Sequence, residues 1–159
     1  MRNILFALLT GAILWSCGPS EKEQQQLAEA VQYHQQAMGF EKETIALLKQ
    51  VKEAVPSLQA RADSLSKAGA DSLALPIRAM LTEAEETEKA LKAWGETVVE
   101  VPGYEHDHSH DKEGEGHHHH SHDRIETTPE QMIAIQKDLR DKVEAIKNRV
   151  QELVNKMKM

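Results

Sequence analysis

The stretch TPEQMIAIQKDLRDKVEAIKNRVQELVNKM, residues 128–157, decides the fold. Thr128 stands at an N-cap position, Pro129 at the first helical position and Gln131 at the third, the residue order of a capping box. From there Met132, Ile135, Leu139, Val143, Ile146, Val150, Leu153 and Met157 recur at steps of three and four. That spacing puts them on one face of a single long helix, too narrow a stripe to bury except against other helices.

Working back along the chain, the same grammar appears twice more. Leu73, Ile77, Met80, Ala84, Thr87, Leu91, Trp94, Val98 and Val101 alternate steps of four and three from Asp71 onward, a coiled-coil-like period. Pro76 fits this segment if it lies in the first turn, and Val98, Val99 and Val101 favour extended backbone near its end. Earlier still, Ser20 and Glu23 have capping-box spacing. Leu27, Val31, His34, Met38, Ile45 and Leu48 follow, with Phe40, Leu47 and Val51 widening the stripe. Pro56 removes a backbone donor and predicts a kink or restart there. Lys67-Ala68-Gly69-Ala70-Asp71 reads as the turn between the two segments. The expected fold is therefore all-α: an antiparallel, coiled-coil-like three-helix bundle with a disordered His-rich loop between the last two helices. A hairpin turning near residue 69 also brings residue 34 opposite residue 104, at the base of that loop.

Composition agrees with narrow seams. Of the six aromatic residues, Phe6 and Trp15 fall in an amino-terminal leader, which leaves Tyr33, Phe40, Trp94 and Tyr104 for the body. So few aromatics argue against a wide globular core. Nineteen Lys and Arg against 26 Asp and Glu give a net charge of -7, and removal of Arg2 with the leader makes it -8. Nucleic acid is excluded as an expected partner by that balance.

The leader consists of a positive start, Met1-Arg2-Asn3, and an apolar run from Ile4 to Trp15. Twelve residues make a signal-peptide core and are too short for a permanent membrane span. The run ends at Leu14-Trp15-Ser16-Cys17-Gly18, which resembles the lipobox of bacterial lipoproteins, with Trp15 in place of the usual small residue. The resemblance implies cleavage before Cys17 and acylation of that residue, the only cysteine in the chain. Residues 1–16 are then a signal peptide, 17–19 a lipidated tether, 20–101 a long helical hairpin, 102–127 a flexible His/Asp/Glu-rich loop and 128–157 the last helix. Together with Tyr33-His34 to Met38, Trp94 and the final helix, this architecture also resembles small helical lipoproteins labelled viral A-type inclusion protein, a label that implies no activity. The expected location is the bacterial cell envelope.

Eight of the nine histidines lie in one insertion: His106, His108, His110, His117, His118, His119, His120 and His122. Imidazole is a good ligand for Zn(II), Cu(II) and Ni(II), and the neighbouring Asp107, Asp111 and Asp123 can complete coordination or orient a ring. With many exchangeable donors and Gly114 and Gly116 between the clusters, the pattern predicts overlapping sites with modest selectivity. His34 is a further candidate ligand, although a histidine in a helical stripe is first of all a seam or surface residue. Met38, Met80, Met132 and Met157 read as packing residues by their spacing, and Trp94 as a packing anchor.

No nucleophile with a paired base, glycine-rich phosphate loop or HExxH helix is present, so no enzymatic activity is expected. The leading functional reading is a lipid-anchored envelope protein that buffers or transfers divalent transition metal through the loop. The alternative is a structural or interaction lipoprotein, docking a helical envelope partner, in which the loop is incidental.

Overall fold

The computed structural model describes residues 20–104 and 127–158. They form three helices and, among the described residues, no strand: α1 (Glu21–Lys67), α2 (Asp71–Gly95) and α3 (Pro129–Met157). The chain runs up, down and up again. Lys52 of α1 pairs with Glu88 of α2, and Trp94 and Glu86 of α2 meet Leu139 and Arg149 of α3, so each consecutive pair is antiparallel. α1 and α3 are parallel with a constant offset: His34 bonds Gln136, 102 positions on, while Ala30 shares a cluster with Met132 and Leu48 with Val150.

Both outer helices start as their sequences direct. The Ser20 hydroxyl accepts from the Glu23 amide at 3.3 Å, and the Glu23 carboxylate accepts from the Ser20 amide at 2.7 Å. Thr128 and Gln131 repeat the exchange at 3.2 and 2.9 Å, with Pro129 supplying a first residue that has no amide to satisfy. Between α1 and α2 the turn is tight. Gly69 adopts φ +74°, and the Ala70 amide reaches back to the Leu65 carbonyl at 2.9 Å, the closing bond of a Schellman-type cap.

Pro56 does not restart α1, which is helical on both sides of it. Pro56 and Lys52 are both exposed, so the Lys52 carbonyl that loses its helical donor lies on a solvated face where water can replace the bond. Pro76 is the sixth residue of α2 rather than part of its first turn, and it too is exposed.

The buried seam is shifted from the expected stripe. In α1 it runs through Ala30, His34, Ala37, Thr44, Leu48, Val51, Leu58 and Ala62, while Ile45 is 52% exposed. In α2 Ala74 takes the place of Leu73, which is 61% exposed. Next to the short turn the fully buried Ala62 clusters with Ala74, so the small residue and not Leu73 faces α1 there. In α3 Gln136 rather than Ile135 occupies the buried line. Trp94 is buried among Ala37, Val98, Leu139 and Val143, and its indole N–H donates to the Leu139 carbonyl at 2.9 Å. Met132 is fully buried, and Met38, Met80 and Met157 pack against the clusters from the side.

α2 ends at Gly95, earlier than the predicted end of the hairpin at 101. Burial nevertheless continues through Val98 and Val101, so these valines pack from irregular backbone, as their β-branching favours. Val101 to Tyr104 then makes a turn with Pro102 second and Gly103 third at φ +79°, closed by the Tyr104 amide on the Val101 carbonyl at 3.0 Å.

Candidate functional site

The residues singled out for lipidation and for metal chemistry divide into two groups. Cys17, the eight histidines from His106 to His122, and Asp107, Asp111 and Asp123 lie outside the described residues. His34 lies inside them, at the level where the chain leaves the bundle at Tyr104 and re-enters it at Thr127.

That level is built from all three parts of the fold. Ala30, Val101 and Met132 form a small core with Leu27, Val31, Tyr104 and Ile133 around it, so both roots of the His-rich insertion are held against the same stretch of α1. The Tyr104 hydroxyl accepts a hydrogen bond from Gln35, and the Tyr104 ring meets the His34 ring edge to face at 6.4 Å. Residues 34 and 104 thus sit opposite each other, as a hairpin turning near residue 69 requires.

His34 is 1% exposed and its Nδ1 lies 3.0 Å from Gln136 Oε1. The direction of that bond follows from the other end of the amide. Gln136 Nε2 is 2.8 Å from the Val99 carbonyl, which can only accept, so Gln136 Nε2 donates there and its Oε1 must accept from His34 Nδ1–H. Val99 lies beyond the end of α2, so its carbonyl is not consumed by a helical bond. The remaining ring nitrogen of His34 faces Glu100 Oε2 at 3.6 Å. A neighbouring stack on the α3 side places the Arg140 guanidinium over the Tyr33 ring at 5.2 Å.

Chemically this is a closed polar layer, not an open coordination site. Among the described residues no group of three or more His, Cys, Asp or Glu is arranged to hold a metal ion. His34 is occupied through Nδ1 and enclosed on all sides, which gives it the role of a seam residue. Gln136 and Glu100, its partners, were not among the candidates from sequence. Gln136 was legible in principle, because Gln136, Val143, Val150 and Met157 form a heptad line that a reading centred on Ile135 passes over.

Among the described residues no helix is long and apolar enough to cross a membrane. Compared with known proteins, the chain matches no family model, no curated protein and no solved structure.

Proposed function

We propose that the chain is a lipid-anchored protein of the bacterial envelope that binds divalent transition metal, Zn(II), Cu(II) or Ni(II), through the insertion between α2 and α3, and buffers or transfers the ion. One observation carries the reading: eight of nine histidines, interleaved with carboxylates, fall within residues 106–122. The placement of Tyr104 and the Thr128 cap at one end of the bundle supports it, because the donors are then tethered at both ends to a small volume rather than dispersed. His34 is not needed for this function. The lipobox resemblance around Cys17 supplies the anchor, and several acyl chains hold a protein at a membrane far more firmly than one chain could.

The deciding experiment compares the mature chain, purified without a nickel column, with a variant lacking residues 106–122. Calorimetric titration with each ion should give saturable uptake that disappears on deletion, while far-ultraviolet circular dichroism stays helical. Equal stoichiometry in the two chains refutes the metal reading. Uptake should also weaken as pH falls through about 6.5, where imidazole gains a proton that competes with the metal.

A second reading, an interaction lipoprotein that docks a helical envelope partner, is favoured by Leu73 and Leu75, 61% and 64% exposed near the hairpin tip. A pull-down that depends on these leucines and is indifferent to the deletion would support it over the first.

A further inference from the structure

The register of α2 against α1 is fixed by a turn of three residues, Ala68 to Ala70. α3 has no such constraint, since residues 96–128 separate it from α2. Its seam residues repeat every seven positions, Met132, Leu139, Ile146 and Leu153 on one line and Gln136, Val143, Val150 and Met157 on the other. A slide of one heptad, about 10 Å, would therefore bring apolar residues onto apolar residues nearly everywhere.

Most contacts between α3 and the hairpin are blind to such a slide. The Trp94 indole donates to a backbone carbonyl, and a helix offers an equivalent carbonyl one heptad away in either direction. The pairs Glu86–Arg149, Glu83–Lys156 and Glu43–Lys147 join partly or largely exposed side chains, a class that contributes little. Thr44 and Thr87, although fully buried, bond the Phe40 and Glu83 carbonyls of their own helices at 2.6 Å. His34 and Gln136 are different, for they are buried and bond each other across helices, with the Val99 carbonyl as a third member at that level alone.

We propose that the His34–Gln136–Val99 layer is a register lock that selects one alignment of α3 along the hairpin. Sliding α3 toward the tip sets Gln136 against Glu41 and His34 against Pro129; sliding it the other way sets His34 against Val143 and Gln136 against Leu27. Either slide parts His34 Nδ1 from Gln136 Oε1 and Gln136 Nε2 from the Val99 carbonyl, and so takes the acceptor away from the Nδ1–H of a ring that is 1% exposed. Losing that buried bond disfavours the slipped state by about tenfold. The layer thereby fixes how far Thr127 stands from Tyr104, and so the span between the two roots of the insertion.

Cysteine cross-linking in the full chain carrying Cys17→Ser tests this. Ala30→Cys with Met132→Cys reports the native alignment. Ala37→Cys with Met132→Cys, and Ala30→Cys with Leu139→Cys, report the two slipped ones. With His34 and Gln136 intact, only the native pair should oxidise. With His34→Leu and Gln136→Leu together, at least one slipped pair should gain about tenfold or more in yield, and the single variant His34→Leu should melt below the double variant. The exchanged pair, His34→Gln with Gln136→His, keeps a cross-helix hydrogen bond and should give the native cross-link alone. Slipped cross-links that stay as rare in the double-leucine chain as in the parent overturn the proposal. So does loss of helicity in the double-leucine chain, because the layer would then be needed for folding and not for choosing an alignment. Slipped cross-links from the exchanged pair overturn it as well.

Discussion

Replacing Trp94 separates packing from hydrogen bonding at the centre of the bundle. The side chain is 4% exposed and fills the space between Ala37 on α1 and Leu139 and Val143 on α3. Trp94→Ala removes the whole indole from a site lined by three parts of the chain, where collapse is limited, and should cost about 3–5 kcal/mol. Trp94→Phe keeps most of the ring volume and removes the donor to the Leu139 carbonyl. That carbonyl retains its own helical donor four residues on, so no polar group is stranded. The loss is then a neutral hydrogen bond, about 0.5–1.5 kcal/mol, plus a modest packing deficit of similar size. The assay is urea unfolding followed by circular dichroism at 222 nm on the mature chain, with thermal melts alongside. For a folded body of this size each kcal/mol corresponds to roughly 4 °C in Tm. Two results would refute the reasoning: an alanine variant that loses less than about 1 kcal/mol, which would mean Trp94 is not an anchor, or a phenylalanine variant as damaged as the alanine one.

Other substitutions should separate surface from seam. Leu73→Gln with Leu75→Gln should leave stability within about 0.5 kcal/mol in the same assay, whereas Leu153→Ala, at a fully buried position, should cost about 2–5 kcal/mol. Pro56→Ala restores an amide to the exposed turn around Lys52, and a gain of about 1–2 kcal/mol in unfolding free energy is expected, less than the full helix-interior difference because the unfolded chain also gains freedom. Enlarging the tip contact by Ala62→Leu should lower stability by about 1–3 kcal/mol, since Ala62 has no accessible surface left. Glu23 is held below its ordinary carboxylate range by the Ser20 amide and then by the Ser20 hydroxyl. Its contribution to the first turn of α1 is therefore present above the unfolded carboxylate range and is lost as pH falls through the lowered folded value. Amide protection factors at residues 23–26 should fall over that acid interval, and Ser20→Ala, which removes the hydroxyl but keeps the amide, should reduce the pH dependence without abolishing it.

How much of this was legible beforehand depended on which force decided each feature. The capped starts at Ser20 and Thr128 and the turn at Gly69 are local chemistry, and local residues suffice to read them. The choice of seam line is not local. Ile45 and Leu73 fit the period and are apolar, yet they stay exposed because the neighbouring helix lies along Ala30, Ala37, Thr44 and Ala74 instead. Small residues allow backbones to approach, and a reading weighted by side-chain hydrophobicity passes over them. Gln136 was missed for the related reason that a polar residue looks external until its partners are known, and those partners, His34 and Val99, are distant in sequence. The shortness of α2 was foreshadowed by Gly95 and the valines that follow it. The insertion and Cys17 remain what their residues alone say of them, lying outside the described part of the chain.

The length of α1 has one more consequence. Its 47 residues make a rod of about 70 Å. The level of Ala30, where both roots of the insertion emerge, is some 15 Å from the start of that rod, and the turn at Gly69 is about 55 Å farther on. A rod of that length separates the two ends of the bundle, with the roots of the insertion near its start and Leu73 and Leu75 beside the turn at the far end. The exposed leucines at the tip and the two roots of the insertion are thus features of opposite ends of the bundle, and a substitution at one end can be read without disturbing the other.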